Sequence, residues 1–181
     1  MPVQIGAPAH SFSDPTGLLS DCHRRIEMFL GALEAVASGG GARLTEEGAR
    51  SLAAALRYFR EAAPKHNADE EESLFPRMRR IGGPEAAAAL ARLAALEDEH
   101  RWAEPLHAEA DRLGQRYLAE GRLTAAEAEA LRDTVGRLAA MYREHIRMEE
   151  EVVFPAAVRM LAPEDKAAMA REMAGRRRAG G

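Results

Sequence analysis

Apolar residues recur at intervals of three or four along most of this chain, a period that predicts four long amphipathic α-helices. The predicted helix starts carry capping or helix-opening residues, which are Asp14-Pro15, Thr45, Pro84-Glu85 and Thr124. Glycines follow the predicted ends, for example at Gly39 and Gly121. Pro64 and Pro105 fall inside the second and third helices and predict bends, because proline removes a backbone donor and clashes with the preceding turn.

Four amphipathic helices joined by short loops predict an all-α fold, an antiparallel up-down four-helix bundle. A short fifth helix is expected to begin at Pro163, and the arginine run 176–178 behind it is expected to be a solvated tail, with docking to a partner as the other interpretation. The predicted organisation is an extended lead-in over 1–14, the bundle over 15–162, and the short helix with its basic tail over 163–181.

In two of the helices the apolar period runs into the same polar motif, H-x-x-x-E-E-E-x-x-F-P. One copy begins at His66 in the second helix and the other at His145 in the fourth. A shorter pattern, D-x-H-R-x-x-E, surrounds His23 in the first helix and His100 in the third. The two helix pairs are therefore predicted to be internal duplicates that carry one His-x-x-x-Glu pair on each helix.

These histidines and glutamates take the next positions of the apolar stripes, so they are predicted to point into the bundle. An i, i+4 step turns a helix by only about 40°, which keeps both side chains of a pair on one face. Burying so many ionisable groups is costly unless they are paired or bind a metal ion. The candidate metal ligands are His23, Glu27, His66, Glu70, His100, Glu104, His145 and Glu149.

Composition narrows the kind of metal and the kind of partner. A single cysteine excludes a cysteine-cluster site, and the remaining nitrogen and carboxylate ligands suit iron, manganese or zinc. Four histidines with several glutamates fit two metal ions better than one.

The net charge of −4 is too mild to favour nucleic acid or a membrane surface as a partner. No apolar run approaches the length of a membrane span, and the first residues lack a signal-peptide pattern, so a soluble cytoplasmic protein is expected.

The combined motif resembles the hemerythrin-like (HHE cation-binding) family over about residues 14–160, with F-P after both glutamate runs. The matching positions are His23, His66, Glu70, His100, His145 and Glu149. The resemblance implies a bacterial-type non-haem di-iron protein with two oxo- or hydroxo-bridged iron ions per chain, and zinc or manganese are the alternative metals. It implies terminal histidine ligands, with Glu70 and Glu149 as bridging carboxylates.

Two positions depart from the oxygen-carrying hemerythrins. Those proteins have a second histidine on the third helix, where this chain has Glu104, and an aspartate at i+5 on the fourth helix. Glu149 at i+4 is preferred here over Glu150, because an i+5 side chain is rotated by about 140°. The other glutamates of the two runs are expected to be solvated or to support the ligands. For Glu27 and Glu104 two roles remain possible, as metal ligands or as hydrogen-bond partners of a histidine.

The leading functional prediction is a binding protein for a small molecule, one that binds or senses oxygen, nitric oxide, a related oxidant or iron. The alternative is a di-iron peroxidase or catalase-like enzyme that removes hydrogen peroxide. A third interpretation is a metal-free bundle with a buried polar network. Tyr58 and Tyr142 lie within two turns of the predicted site and are expected to pack in the core, with reach to the site as the other interpretation. His107, two turns from His100, is expected to pack at the end of the bundle, with a distal role at the site as the other interpretation. No oligomeric state is predicted.

Overall fold

The computed structural model describes residues 10–11 and 13–178, and within them it contains helices and no strand. The prediction of an all-α chain is confirmed for this part. The helices are α1 (Pro15–Ala37), α2 (Glu46–Glu61), α3 (Ala63–Ala68), α4 (Phe75–Ile81), α5 (Ala87–Glu120), α6 (Ala125–Met148), α7 (Phe154–Met160) and α8 (Pro163–Arg178). Two π-helical segments, π1 (Asp69–Leu74) and π2 (Glu149–Val153), join α3 to α4 and α6 to α7, and a 3₁₀ turn (Pro84–Ala86) precedes α5. No helix in the described part combines the length and apolar character that crossing a membrane requires.

Local sequence signals account for most helix ends. The side chains of Asp14 and Thr45 each accept a hydrogen bond from the backbone amide three residues later, which satisfies one of the free donors of the first turn. Thr124 and Glu127 form a reciprocal capping box at the start of α6. Gly121 ends α5 with a φ of 70°, a left-handed conformation that glycine adopts without a steric penalty.

The two interior prolines have different outcomes. The bend predicted at Pro64 is a break in the structure, because α2 ends at Glu61 and α3 begins at Ala63. Pro105 lies inside α5, which continues through it to Glu120.

The long helices α1, α2, α5 and α6 pack around each other, with α1 and α5 each contacting both α2 and α6. Two clusters of buried apolar side chains form the interior. Along α1, Leu19 belongs to one cluster and Ile26 to the other, and the buried His23 lies between them. His66, His100 and His145 are flanked in the same way along their own helices. Four buried histidines therefore lie where the two apolar clusters meet.

The arginine run is not the solvated tail that the sequence predicts. It continues α8, and Arg176 and Arg177 donate hydrogen bonds to the two carboxylate oxygens of Asp69 at 2.9 and 2.7 Å. Asp69 is fully buried at the start of π1. A buried carboxylate requires a partner charge, and these guanidinium groups supply it from the far end of the chain. Arg178 alone among the three is exposed.

Candidate metal centre

Four imidazoles and two carboxylates converge from separate helical stretches of the bundle. Each of these side chains is at most 4% exposed, and they are His23 (α1), His66 (α3), Glu70 (π1), His100 (α5), His145 (α6) and Glu149 (π2). Six of the eight residues that the sequence predicts as metal ligands are thus brought together.

The two glutamates are placed by the same local structure in both copies of the long motif. In π1 the amide of Phe75 donates to the carbonyl of Glu70, and in π2 the amide of Phe154 donates to the carbonyl of Glu149, five residues back in each case. A proline follows each phenylalanine and has no amide to continue the normal α-helical ladder. Widened turns of this kind are frequent at functional sites. The apolar period of the sequence predicts a helix here and carries no signal for the widened turn.

The first group of candidate ligand atoms comes from His23, His66, Glu70 and Glu149. His66 Nε2 lies 3.2 Å from Glu70 Oε1, and His23 Nε2 lies 3.1 Å from Glu149 Oε2. His23 Nε2 is also 3.9 Å from Glu70 Oε1. One candidate ligand atom from each of these four residues lies within 4.8 Å of the other three.

A second group is formed by His100, His145 and Glu70. The Nε2 atoms of the two histidines are 3.1 Å apart. His100 Nε2 lies 3.5 Å from Glu70 Oε2, and His145 Nε2 lies 3.3 Å from Glu149 Oε2. Glu70 therefore directs one oxygen toward each group, and Glu149 lies between His23 and His145. Both carboxylates therefore lie between the first pair of histidines and the second.

Several polar atoms at the centre of this cluster have no hydrogen-bond partner within the described part of the chain. They include His23 Nε2 and both carboxylate oxygens of Glu70 and of Glu149. Buried carboxylates without partners are strongly unfavourable unless a cation neutralises them. Ligands at about 2.1 Å from a metal and at right angles to one another are about 3.0 Å apart, close to the shorter separations found here. The residues present therefore fit metal ions.

Three of the four histidines hydrogen-bond to a carboxylate through the nitrogen that faces away from the cluster. The Nδ1 contacts are His23 to Glu150 at 2.7 Å, His100 to Glu71 at 2.6 Å and His145 to Glu99 at 2.7 Å. Such bonds fix the ring and leave Nε2 free to bind a metal. Each carboxylate belongs to a different helical stretch from the histidine that it contacts, so the bonds also connect neighbouring elements.

The sequence pointed to two of these supporting carboxylates and missed the third. Glu71 and Glu150 occupy the same position in the two copies of the long motif, where the sequence predicts a solvated residue or one that supports the ligands. Glu99 was not singled out. It reaches His145 across the contact between α5 and α6, and no helical spacing rule relates residues on different helices.

The charges in the cluster are unevenly distributed between the two glutamates. Burial raises the pKa of Glu70 well above its usual range, and the nearby Glu149 adds to this effect. Burial acts in the same direction on Glu149, but His145 and His23 outweigh it and lower the pKa of Glu149. For His145 burial favours the neutral ring, yet Glu149 and Glu99 prevail and raise its pKa to about 9. The metal-free cluster thus retains protons that a metal ion must displace.

Glu27 and Glu104 are placed apart from the other candidate ligands. Both side chains are exposed, and neither belongs to the two groups of converging atoms in the described chain. Glu104 instead lines a surface cavity. The structure therefore brings neither residue to the cluster.

A cavity of about 370 Å³ lies beside His100 and opens toward the surface of the bundle. Its lining includes Phe59, Glu71, His100, Glu104, His107 and Tyr142. Tyr142 is buried and its hydroxyl lies 2.8 Å from His107 Nε2, while the His107 ring stacks on Phe59. Tyr142 packs in the core as expected, and the cavity also places both side chains next to the candidate metal centre.

Comparison with known protein families gives a match to the hemerythrin HHE cation-binding domain over residues 14–157. No curated protein matches the chain. The matched range contains all six converging side chains, whereas α8 lies beyond it.

Proposed function

The chain belongs to the hemerythrin HHE cation-binding family, and from that premise we propose that it is a metal-binding protein whose buried cluster holds two iron ions. One observation carries the proposal. Imidazole Nε2 atoms converge in the interior with the carboxylate oxygens of Glu70 and Glu149, which have no hydrogen-bond partner in the described chain.

The two groups of atoms suggest which residues would hold each ion. His23 and His66 would hold one, His100 and His145 would hold the other, and Glu70 and Glu149 would be shared between them. Nitrogen and carboxylate ligands together suit iron, and zinc or manganese would be revealed by metal analysis. Glu27 and Glu104, which are exposed, are not included in this ligand set.

The proposed activity is the binding or sensing of a small oxidant such as oxygen, nitric oxide or peroxide. Because Glu27 and Glu104 lie away from the cluster, the six ligands leave room at the ions for a further small molecule, and the cavity beside His100 provides an approach. Bound metals would supply Lewis acidity and one-electron redox chemistry. The protein supplies the rest: Glu150, Glu71 and Glu99 fix the imidazoles of His23, His100 and His145, and the two apolar clusters lie on either side of the site.

A di-metal peroxidase is the second candidate, and the buried contact between Tyr142 and His107 beside the cavity favours it. Mixing the iron-loaded protein with peroxide, oxygen or nitric oxide distinguishes the peroxidase from the binding protein. Rapid disproportionation of peroxide favours the enzyme, whereas a stable adduct with oxygen or nitric oxide favours the binding protein.

Metal analysis of the full-length protein, purified from iron-supplemented cells, tests the proposal. We expect two irons per chain together with the near-ultraviolet absorption of a bridged ferric pair. Glu70→Gln and Glu149→Gln should lose iron, while Glu27→Gln and Glu104→Gln, as matched controls, should retain it. A protein with no metal, or with one zinc and a featureless spectrum, contradicts the proposal.

A further inference from the structure

Tyr142 differs from the other tyrosines in the group that its hydroxyl contacts. The chain has three tyrosines. Tyr58 donates to the carbonyl of Cys22 at 3.3 Å, and Tyr117 donates to the carbonyl of Ala42 at 2.6 Å. A backbone carbonyl accepts a hydrogen bond but is not basic enough to take the proton. Tyr142 contacts the imidazole Nε2 of His107 at 2.8 Å, and an imidazole can take it.

Tyr142 is also the tyrosine that lies next to the candidate metal centre. It precedes His145 by one helical turn in α6, and the centroids of the two rings are 6.3 Å apart. Its side chain is 3% exposed. The Tyr142 ring therefore lies directly beside the ring of a proposed metal ligand, with no side chain between them.

We propose that Tyr142 and His107 form a redox-active pair, in which Tyr142 gives an electron to the oxidised metal centre and its phenol proton to His107. This inference rests on the proposed metal centre. It assigns to two residues outside the ligand set a role in the reaction with peroxide.

The charge states of the two side chains suit this role. Burial lowers the pKa of His107 to about 4, so the ring is neutral at physiological pH and its Nε2 lone pair is available. A phenol keeps its proton at neutral pH until it is oxidised. An oxidised phenol is a strong acid, and even a weak base then accepts its proton. The low basicity of His107 favours return of the proton when the radical is reduced.

Packing holds the acceptor ring in position. Phe59 stacks on His107 with ring centroids 5.0 Å apart, and it lies 6.2 Å from the Tyr142 ring. The contact between Tyr142 and His107 joins α6 to α5, so both helices fix its length.

The electrons and protons balance with hydrogen peroxide as the oxidant. Reduction of its O–O bond to two water molecules consumes two electrons and two protons. Tyr142 supplies one electron, the metals supply the other, and solvent supplies the protons. The O–H bond of Tyr142 breaks and its proton forms an N–H bond at His107 Nε2. A neutral phenoxyl radical and an imidazolium remain.

Electron paramagnetic resonance tests this inference directly. Iron-loaded full-length protein is mixed with hydrogen peroxide and frozen within milliseconds to seconds, and the iron content of each sample is measured in parallel. We expect an organic radical with tyrosyl hyperfine structure that narrows when the protein contains ring-deuterated tyrosine. Tyr142→Phe should lose this signal, and the matched control Tyr117→Phe, at a site bonded only to a carbonyl, should keep it.

A second variant tests the proton acceptor separately from folding and metal binding. His107→Gln retains a hydrogen-bonding side chain but cannot accept a proton, so we expect normal iron content with loss of the radical. A signal that persists in Tyr142→Phe, or that is unchanged in His107→Gln, overturns the pair. If wild-type protein binds iron and forms no radical, the pair is overturned while the metal proposal stands. If it binds no metal, both fail.

Discussion

At the scale of single residues, Glu70 and Glu149 occupy the same position in the two copies of one motif, yet their surroundings favour different protonation states. Both begin a run of three glutamates four residues after a histidine. Glu149 lies 3.1 and 3.3 Å from the imidazoles of His23 and His145, which hold it as a carboxylate. Glu70 meets burial and the charge of Glu149, which favour its protonated form. Without metal, the cluster is asymmetric in charge although the ligand positions repeat.

This asymmetry predicts different effects for two matched substitutions in the metal-free protein. Glu70→Gln replaces a neutral acid by a neutral amide of the same shape and should change the free energy of unfolding little. Glu149→Gln removes a buried charge that two imidazoles contact, and should cost about 3 kcal/mol, as breaking a buried ion pair does. Urea denaturation of the two metal-free variants at neutral pH measures the difference. Equal losses would contradict the assigned charge states.

The pKa of His107 predicts a pH dependence of stability. The folded pKa of about 4 lies below the usual value of 6.5, so the unfolded chain binds the proton first as the pH falls. The stabilising contribution of the neutral ring is therefore complete above about pH 6.5 and is lost progressively down to about pH 4. Its full size is about 3 kcal/mol as an order of magnitude.

Denaturation of metal-free wild-type protein and His107→Gln at several pH values measures this contribution. Because the other histidines titrate in both proteins, the quantity to compare is the difference in unfolding free energy between them. We expect wild type to lose more stability than the variant between pH 6.5 and 4. Parallel curves would contradict the shifted pKa.

The sequence predicted all four histidines of the cluster, but it did not show which of the four paired glutamates are buried with them. A His-x-x-x-Glu pair covers an arc of about 40° on the helix surface. For the pairs that begin at His66 in α3 and His145 in α6, the arc faces the inside of the bundle, and Glu70 and Glu149 are buried. In α1 and α5 the histidine is buried but Glu27 and Glu104 are exposed. Spacing fixes the angle between two side chains, and only packing fixes where that arc points.

At the scale of elements, side chains of α8 form hydrogen bonds with the π1 segment, which contains Glu70. Arg176 binds Asp69 and also donates to Glu72 at 3.0 Å and to Ser73 at 2.9 Å. Asp69 immediately precedes Glu70, so these bonds constrain the backbone from which a proposed bridging ligand projects. Helix ends could be predicted because caps and glycines act on neighbouring residues. The contact between Arg176 and Asp69 could not be predicted from the sequence, because the two residues are far apart in the chain and meet only after folding.

Removing the α8 contact should destabilise the fold. The double substitution Arg176→Ala and Arg177→Ala leaves the buried carboxylate of Asp69 without its partners, at a cost of about 3 kcal/mol. Arg178→Ala, at the exposed end of the same run, is the matched control and should have little effect.

Thermal and urea denaturation of these variants check the assignment. Adding Asp69→Asn to the double variant removes the orphaned charge and should recover part of the lost stability. If the double variant is as stable as Arg178→Ala, the contact does not stabilise the bundle.

At the scale of the whole molecule, the proposed ligands connect stretches that are distant in the chain. His23 in α1, His66 in α3, His100 in α5 and His145 in α6 meet only in the folded state. Metal ions that bind these ligands together bind the native state in preference to the unfolded chain, and therefore stabilise it.

Metal removal should accordingly lower the thermal midpoint of the wild-type protein, and adding iron back should restore it. A hundredfold excess of free metal over its dissociation constant corresponds to about 2.7 kcal/mol of stabilisation. Glu70→Gln is the control, because its midpoint should not respond to chelator or to iron. Calorimetry checks both proteins, and an unchanged wild-type midpoint would favour a purely structural polar cluster.

The most direct test of the central claim is anomalous diffraction from crystals of the iron-loaded protein, with data collected on both sides of the iron absorption edge. We expect two iron peaks in each chain. One should lie against His23 and His66 and the other against His100 and His145, with Glu70 and Glu149 contacting both. A single peak, a peak elsewhere in the bundle, or no iron signal between these six side chains would contradict it.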